Sequence, residues 1–97
     1  MKKILADAIA TYGTYSQVDK AIEECSELIK ALLKLRYCEK DYEKPILRDA
    51  VDEEMADVEI MLTQLKMIFD NKERVESQKA KKIERLEHRL RRAHEEN

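Results

Sequence analysis

Ninety-seven residues contain one glycine and one proline, Gly13 and Pro45. That scarcity limits the fold more than any other property of the chain. Sheets need turns, and turns draw on residues that reach positive φ or break hydrogen-bond ladders. With two such punctuation points, the chain is expected to be built from long helices with few connections. Apolar residues at helical spacing agree with this. The expected fold is all-α, a single domain over 1–97, arranged as an antiparallel bundle of about four helices.

Residues 3–10 read as a short first helix that ends near Thr11–Thr14, where Gly13 interrupts the pattern. Ser16 is the expected N-cap of a second helix, with Asp19 three positions on. That helix is expected from Gln17 to Glu39, with an apolar stripe of Val18, Ala21, Ile22, Cys25, Leu28, Ile29, Leu32 and Leu33. Lys40 to Pro45 form the one convincing loop, because proline suits only the first turn of a helix. A third helix follows from Ile46 to Phe69, its stripe drawn through Leu47, Val51, Met55, Val58, Leu62, Leu65 and Phe69. Asp70-Asn71 offers a break. The fourth helix spans Lys72 to Glu95, where Ile83, Leu86, Leu90 and Ala93 repeat at three-four-three spacing, the pattern of a narrow seam facing a partner.

The net charge of −2 conceals an uneven distribution. Residues 1–71 hold 10 Lys/Arg against 15 Asp/Glu, whereas residues 72–97 hold 9 against 6. An acidic body with a basic tail is self-complementary in a dimer or suited to an anionic ligand. The imbalance is too small to argue for nucleic acid. A chain this short and this charged has a thin core of its own, and oligomerisation is the natural remedy, with segment 72–97 the expected packing helix. Cys25 and Cys38 form neither a redox pair nor a disulfide framework and read as reduced thiols of a cytoplasmic protein. Met1 to Asp7 begins like a secretory leader, but its apolar run is short and broken by Asp7. No segment is long and apolar enough to span a membrane, so no membrane partner is expected.

Two short acidic clusters carry the chemistry. Glu23, Glu24 and Glu27 form E-E-x-x-E, and Glu54 with Asp57 forms E-x-x-D. Residues three or four apart on a helix share a face, so each cluster points its acids broadly one way. With Cys25 at the centre of the second stripe, Glu24 falls at roughly −100° and borders the apolar face, alongside Gln17, Lys20 and Ala31. Glu23 falls nearly opposite. With Val58 at zero on the third helix, Glu54 falls at roughly −40°, among Leu47, Val51, Met61 and Leu65, and Asp57 at roughly −100°. A carboxylate inside an apolar stripe needs a partner. Two packed helices would gather four or five negative charges, and a hard divalent cation such as Mg²⁺ is the simplest group to hold them together. A lysine partner for Glu54, with the other acids solvated, is the alternative.

The run Ala21-Ile22-Glu23-Glu24-Cys25-Ser26-Glu27-Leu28-Ile29-Lys30-Ala31, followed after 26 residues from Glu27 by Glu54-Met55-Ala56-Asp57, resembles the MazG-like all-α nucleoside triphosphate pyrophosphohydrolases. The resemblance covers roughly residues 15–90, and only the two acidic motifs in it are specific. It implies that Glu24, Glu27, Glu54 and Asp57 are Mg²⁺ ligands, with Glu23 and Glu53 behind them. It implies hydrolysis of a nucleoside triphosphate to the monophosphate and pyrophosphate, and assembly as a dimer or tetramer.

The chemistry of such a site needs three kinds of group. Mg²⁺, or Mn²⁺ in its place, neutralises the triphosphate and activates water. A carboxylate takes the water's proton, a role for which Glu27 is the first choice and Glu23 the second. Cations and polar groups stabilise the phosphates, and Gln17, Lys20, Lys79, Lys82 and Arg85 are the candidates. No G-x-x-x-x-G-K-[ST] loop is present, so this is not P-loop chemistry. Two further readings stay open: a non-catalytic helical interaction module, and the same fold acting on another pyrophosphate-containing nucleotide, a phosphoribosyl-nucleotide or an alarmone.

Overall fold

A computed structural model describes residues 1–96. Asn97, at the end of the expected domain, lies outside the described residues. Four long helices follow in order: α1 (Lys2–Tyr12), α2 (Thr14–Arg36), α3 (Lys44–Phe69) and α4 (Lys72–Glu96), with a single 3₁₀ turn at Asp41–Glu43 before α3. Among the described residues there is no strand, and no helix is long and apolar enough to cross a membrane.

The breaks between helices have distinct causes. Gly13 has φ 93° and ψ 151°, a backbone that other residues adopt only under strain. It closes α1 through its N–H to the Ile9 carbonyl at 2.9 Å and opens α2 by accepting from Gln17 N–H at 3.1 Å. One residue therefore does the work of a loop, and α2 begins at Thr14. Ser16 is inside the first turn of α2 rather than at its N-cap, and no side chain caps that end. α2 stops at Arg36, three residues before the expected Glu39, and its last turn carries Lys34 and Arg36, which complement the negative end of the helix dipole. Arg36 also lies over the ring of Tyr37, 5.2 Å from its centroid. Pro45 occupies the first turn of α3, where its missing N–H removes nothing. Asp70 ends α3 in the left-handed region (φ 48°, ψ 51°), and both its N–H and that of Asn71 reach the Lys66 carbonyl. Arg74 donates to the Phe69 carbonyl at 3.4 Å and satisfies another orphaned acceptor at that end.

The short link between α2 and α3 makes them an antiparallel hairpin, and their contact is the main packing surface of the chain. α1 lies against both. Gln64 fixes it there: its side chain is 2% exposed, and its Nε2 donates to the Leu5 carbonyl at 3.4 Å. The buried apolar residues are Leu5, Ala21, Ala31, Val51 and Met61. α4 buries no residue and stands outside the packed helices. Four helices are present as expected, but three of them form the bundle.

The face that α2 turns toward α3 is displaced from the centre of its apolar stripe. Gln17, Ala21 and Ala31 are buried, Glu24, Leu28 and Leu35 are half-buried, and Ile22, Cys25, Ile29, Leu32 and Leu33 are exposed. On a helical wheel the covered residues lie between roughly −40° and −120° of Cys25. Two alanines explain the displacement, because small side chains let two helix axes approach closely. Val18, Ile22, Cys25 and Ile29 of the stripe, with Leu65 and Phe69 of α3, line an open apolar groove.

Candidate metal centre

The displaced packing of α2 has a direct consequence for its acids. Glu24 lies near the middle of the covered face rather than on its border, and its side chain is 14% exposed. α3 places Glu54 opposite, one turn after buried Val51 and two turns before buried Met61. Asp57 follows Glu54 by three residues on the same face and stays exposed. One carboxylate oxygen from each of Glu24, Glu54 and Asp57 lies within 4.8 Å of the other two.

Glu54 is the unusual member. Its Oε2 is closed to solvent and has no hydrogen-bond partner. Its carboxyl titrates above the usual glutamate range, first because burial penalises the charged form, then because the charges of Glu24 and Asp57 oppose another negative charge, further because the protonated form can donate a hydrogen bond to Glu24, and last because of the charge of Glu27. Leaving such an oxygen unmatched is unfavourable. A divalent ion among three carboxylates would remove both causes at once, by supplying a ligand partner and by reversing the local potential. Three oxygens from three acids, with one edge open to solvent at Asp57, suit a hard cation that keeps part of its water shell.

The other acids divide clearly. Glu27 is one turn from Glu24 but outside the close group. Its carboxylate is 43% exposed and pairs with Lys30 at 3.4 Å, although it is near enough for its charge to oppose that of Glu54. Glu23 and Glu53 are exposed. Glu23 offers its backbone carbonyl to Ser26 Oγ at 2.7 Å.

The polar residues assigned to substrate are dispersed. Lys20 lies beside the centre, where its Nζ donates to Glu24 at 3.4 Å. Gln17 is buried at 6% exposure, one helical turn before Ala21, and belongs to the packing of the hairpin. Lys79 pairs with Glu76 along α4 at 3.5 Å. Lys82 and Arg85 join His88, Arg89 and Arg92 in a basic strip confined to α4. Because α4 stands outside the bundle, this strip is not assembled with the three carboxylates in the single chain.

Lys20 as partner of Glu24 is the one feature at the site whose role sequence reasoning missed. The signal was present in the four-residue spacing of Lys20 and Glu24, which places them on one helix edge. Compared with known proteins, the chain matches no family model, no curated protein and no solved structure.

Proposed function

We propose that this chain belongs to the divalent-cation-dependent phosphohydrolases, with Glu24, Glu54 and Asp57 as the residues that hold the ion. Within that class the reading supported best is a cytoplasmic nucleotide pyrophosphohydrolase, acting on a nucleoside triphosphate and working as a homo-oligomer. The observation that carries it is Glu54: a carboxylate oxygen shut away from water, without a partner, facing two more acids. The E-E-x-x-E and E-x-x-D motifs, and the MazG-like resemblance they support, narrow the substrate from phosphates in general to nucleoside triphosphates.

Bound Mg²⁺ supplies positive charge against the triphosphate and makes a coordinated water more acidic. The protein's own groups do the rest. Glu27, whose pair with Lys30 is open to solvent, accepts the proton of the attacking water. The water oxygen bonds to the α-phosphorus as the bond to the bridging oxygen breaks. That oxygen leaves with the electron pair as part of pyrophosphate. Lys20 is free to turn from Glu24 to a phosphate once the carboxylate is engaged by an ion.

A panel of ribo- and deoxyribonucleoside triphosphates incubated with Mg²⁺ should yield pyrophosphate and the monophosphate. Glu27→Gln should lower kcat by about 10²–10⁴-fold, the usual share of a general base, and Asp57→Ala should lower activity by impairing ion binding. The melting midpoint should rise with Mg²⁺ or Mn²⁺ concentration, by about 2.7 kcal/mol of stability at a hundred times Kd. No turnover of any nucleotide, together with a midpoint indifferent to both ions, would exclude this function and leave the non-catalytic helical module, which the unpacked α4 favours.

A further inference from the structure

α4 is the largest element that the chain does not explain by itself. It is 25 residues long and buries none of them. Ile83, Leu86 and Leu90 are 62%, 46% and 50% exposed. A helix kept clear of its own bundle, with apolar residues aligned along one side, is unfinished in the single chain. The three-four-three spacing of Ile83, Leu86, Leu90 and Ala93 places them at alternating a and d positions of two heptads.

We propose that this seam pairs with the same seam of a second copy, in parallel and in register, as a short two-stranded coiled coil. The inference is independent of the metal centre. Two features select the occupant and its direction. A β-branched residue at the first a position, Ile83, with leucine at the following d, Leu86, favours two strands. The flanking charges fix the orientation. Lys82 is at g and Glu87 at e, so parallel helices set Lys82 beside the partner's Glu87, twice by symmetry. The second pairing, Arg89 with the partner's His94, brings no opposite charge to the seam. Antiparallel helices meshing the same four residues would place Glu87 against the partner's Glu87 and Arg89 against the partner's Arg89 at the centre of the seam, like against like, and their one attractive pairing, Lys82 with the partner's Glu96, would fall at the helix end.

Within the chain the required groups are available. Lys82 has no ion-pair partner among the described residues. Glu87 pairs with Arg91 on its own helix, and a carboxylate with two oxygens accepts a second cation. Arg85 and Arg92, both at c positions, lie on the outer flank and stay accessible in this pairing.

The test uses the full chain with Cys25→Ser and Cys38→Ser, so that no native thiol competes. Leu86→Cys in that background should form a covalent dimer on mild oxidation, because equivalent d positions face each other only in the parallel register. Lys82→Glu, in a chain with all its own apolar residues, should weaken dimerisation measured by sedimentation about fivefold, and Glu87→Lys added to it should recover most of the loss. Circular dichroism on each variant confirms that helix content is intact. A native chain that remains monomeric at every concentration, a folded Leu86→Cys chain that does not cross-link, or a charge exchange that fails to rescue would each overturn the proposal.

Discussion

At the scale of single residues, Glu54 decides most of what can be said about function. Its carboxyl is held above the ordinary glutamate range by burial and by Glu24, Asp57 and Glu27, so the folded chain binds a proton there more readily than the unfolded chain does. Stability from this residue is therefore present at low pH and lost as pH rises from the ordinary glutamate value through the raised one. Asp41, paired with Lys44 at 2.8 Å, is shifted down by that pairing and contributes with the opposite sign. The difference between the native chain and Glu54→Gln isolates the Glu54 effect. In chelator, Glu54→Gln should melt higher than the native chain at neutral pH, and the gap should close on acidification. Saturating Mg²⁺ should abolish the advantage. An unchanged gap across the range would mean that the carboxyl is solvated. Glu54 was legible in the sequence because a charged residue stood where the stripe required an apolar one. Glu27 was legible as a motif member only. Its separation from the close group depends on an exposed side chain choosing Lys30, and such choices follow from local geometry rather than spacing.

Elements come next, and here the hairpin of α2 and α3 sets the precision of the site. Ala21 is 3% exposed and, with Ala31, sets how closely the helices approach. Ala21→Leu should cost about 1–3 kcal/mol by overpacking, measured by urea unfolding. It should also weaken the dependence of melting on Mn²⁺, because Glu24 is one turn away and shares any shift of the axis. Loss of stability with an unchanged ion response would separate packing from the site. The helices themselves were readable from periodicity, and so was the break at Asp70. The start of α2 was misplaced because a capping serine is a local signal, whereas Gly13 reverses the chain within one residue and leaves Ser16 inside the helix. The choice of packing face was also not readable. A wide apolar stripe specifies that a helix is buried, but the two alanines that select which part goes inward are weak on any hydrophobic scale.

For the whole molecule the decisive quantity is the balance between what is covered and what is open. Only five apolar residues are buried among the described residues, while the α2 groove and the α4 seam remain exposed. For a 97-residue chain with so small an interior, association with a second copy would add stability. The melting midpoint should then rise with protein concentration, by roughly 3–5 °C for each tenfold increase in a dimer. A midpoint constant over three decades would mean that the lone chain is sufficient. The four-helix count was legible, and the separation of α4 from the other three was not: the same seam could have closed on its own bundle, and sequence spacing does not distinguish self from second copy.

Glu24 rides on one arm of the hairpin, and Glu54 and Asp57 ride on the other. Left bare, the trio would act as a wedge between the arms; bridged by a cation, as proposed, it would act as a clamp that draws them shut. Metal availability would thus set how tightly the arms close, and slow opening of the hairpin, followed by amide exchange in the turns around Ala21 and Met61, would report how well the clamp is filled.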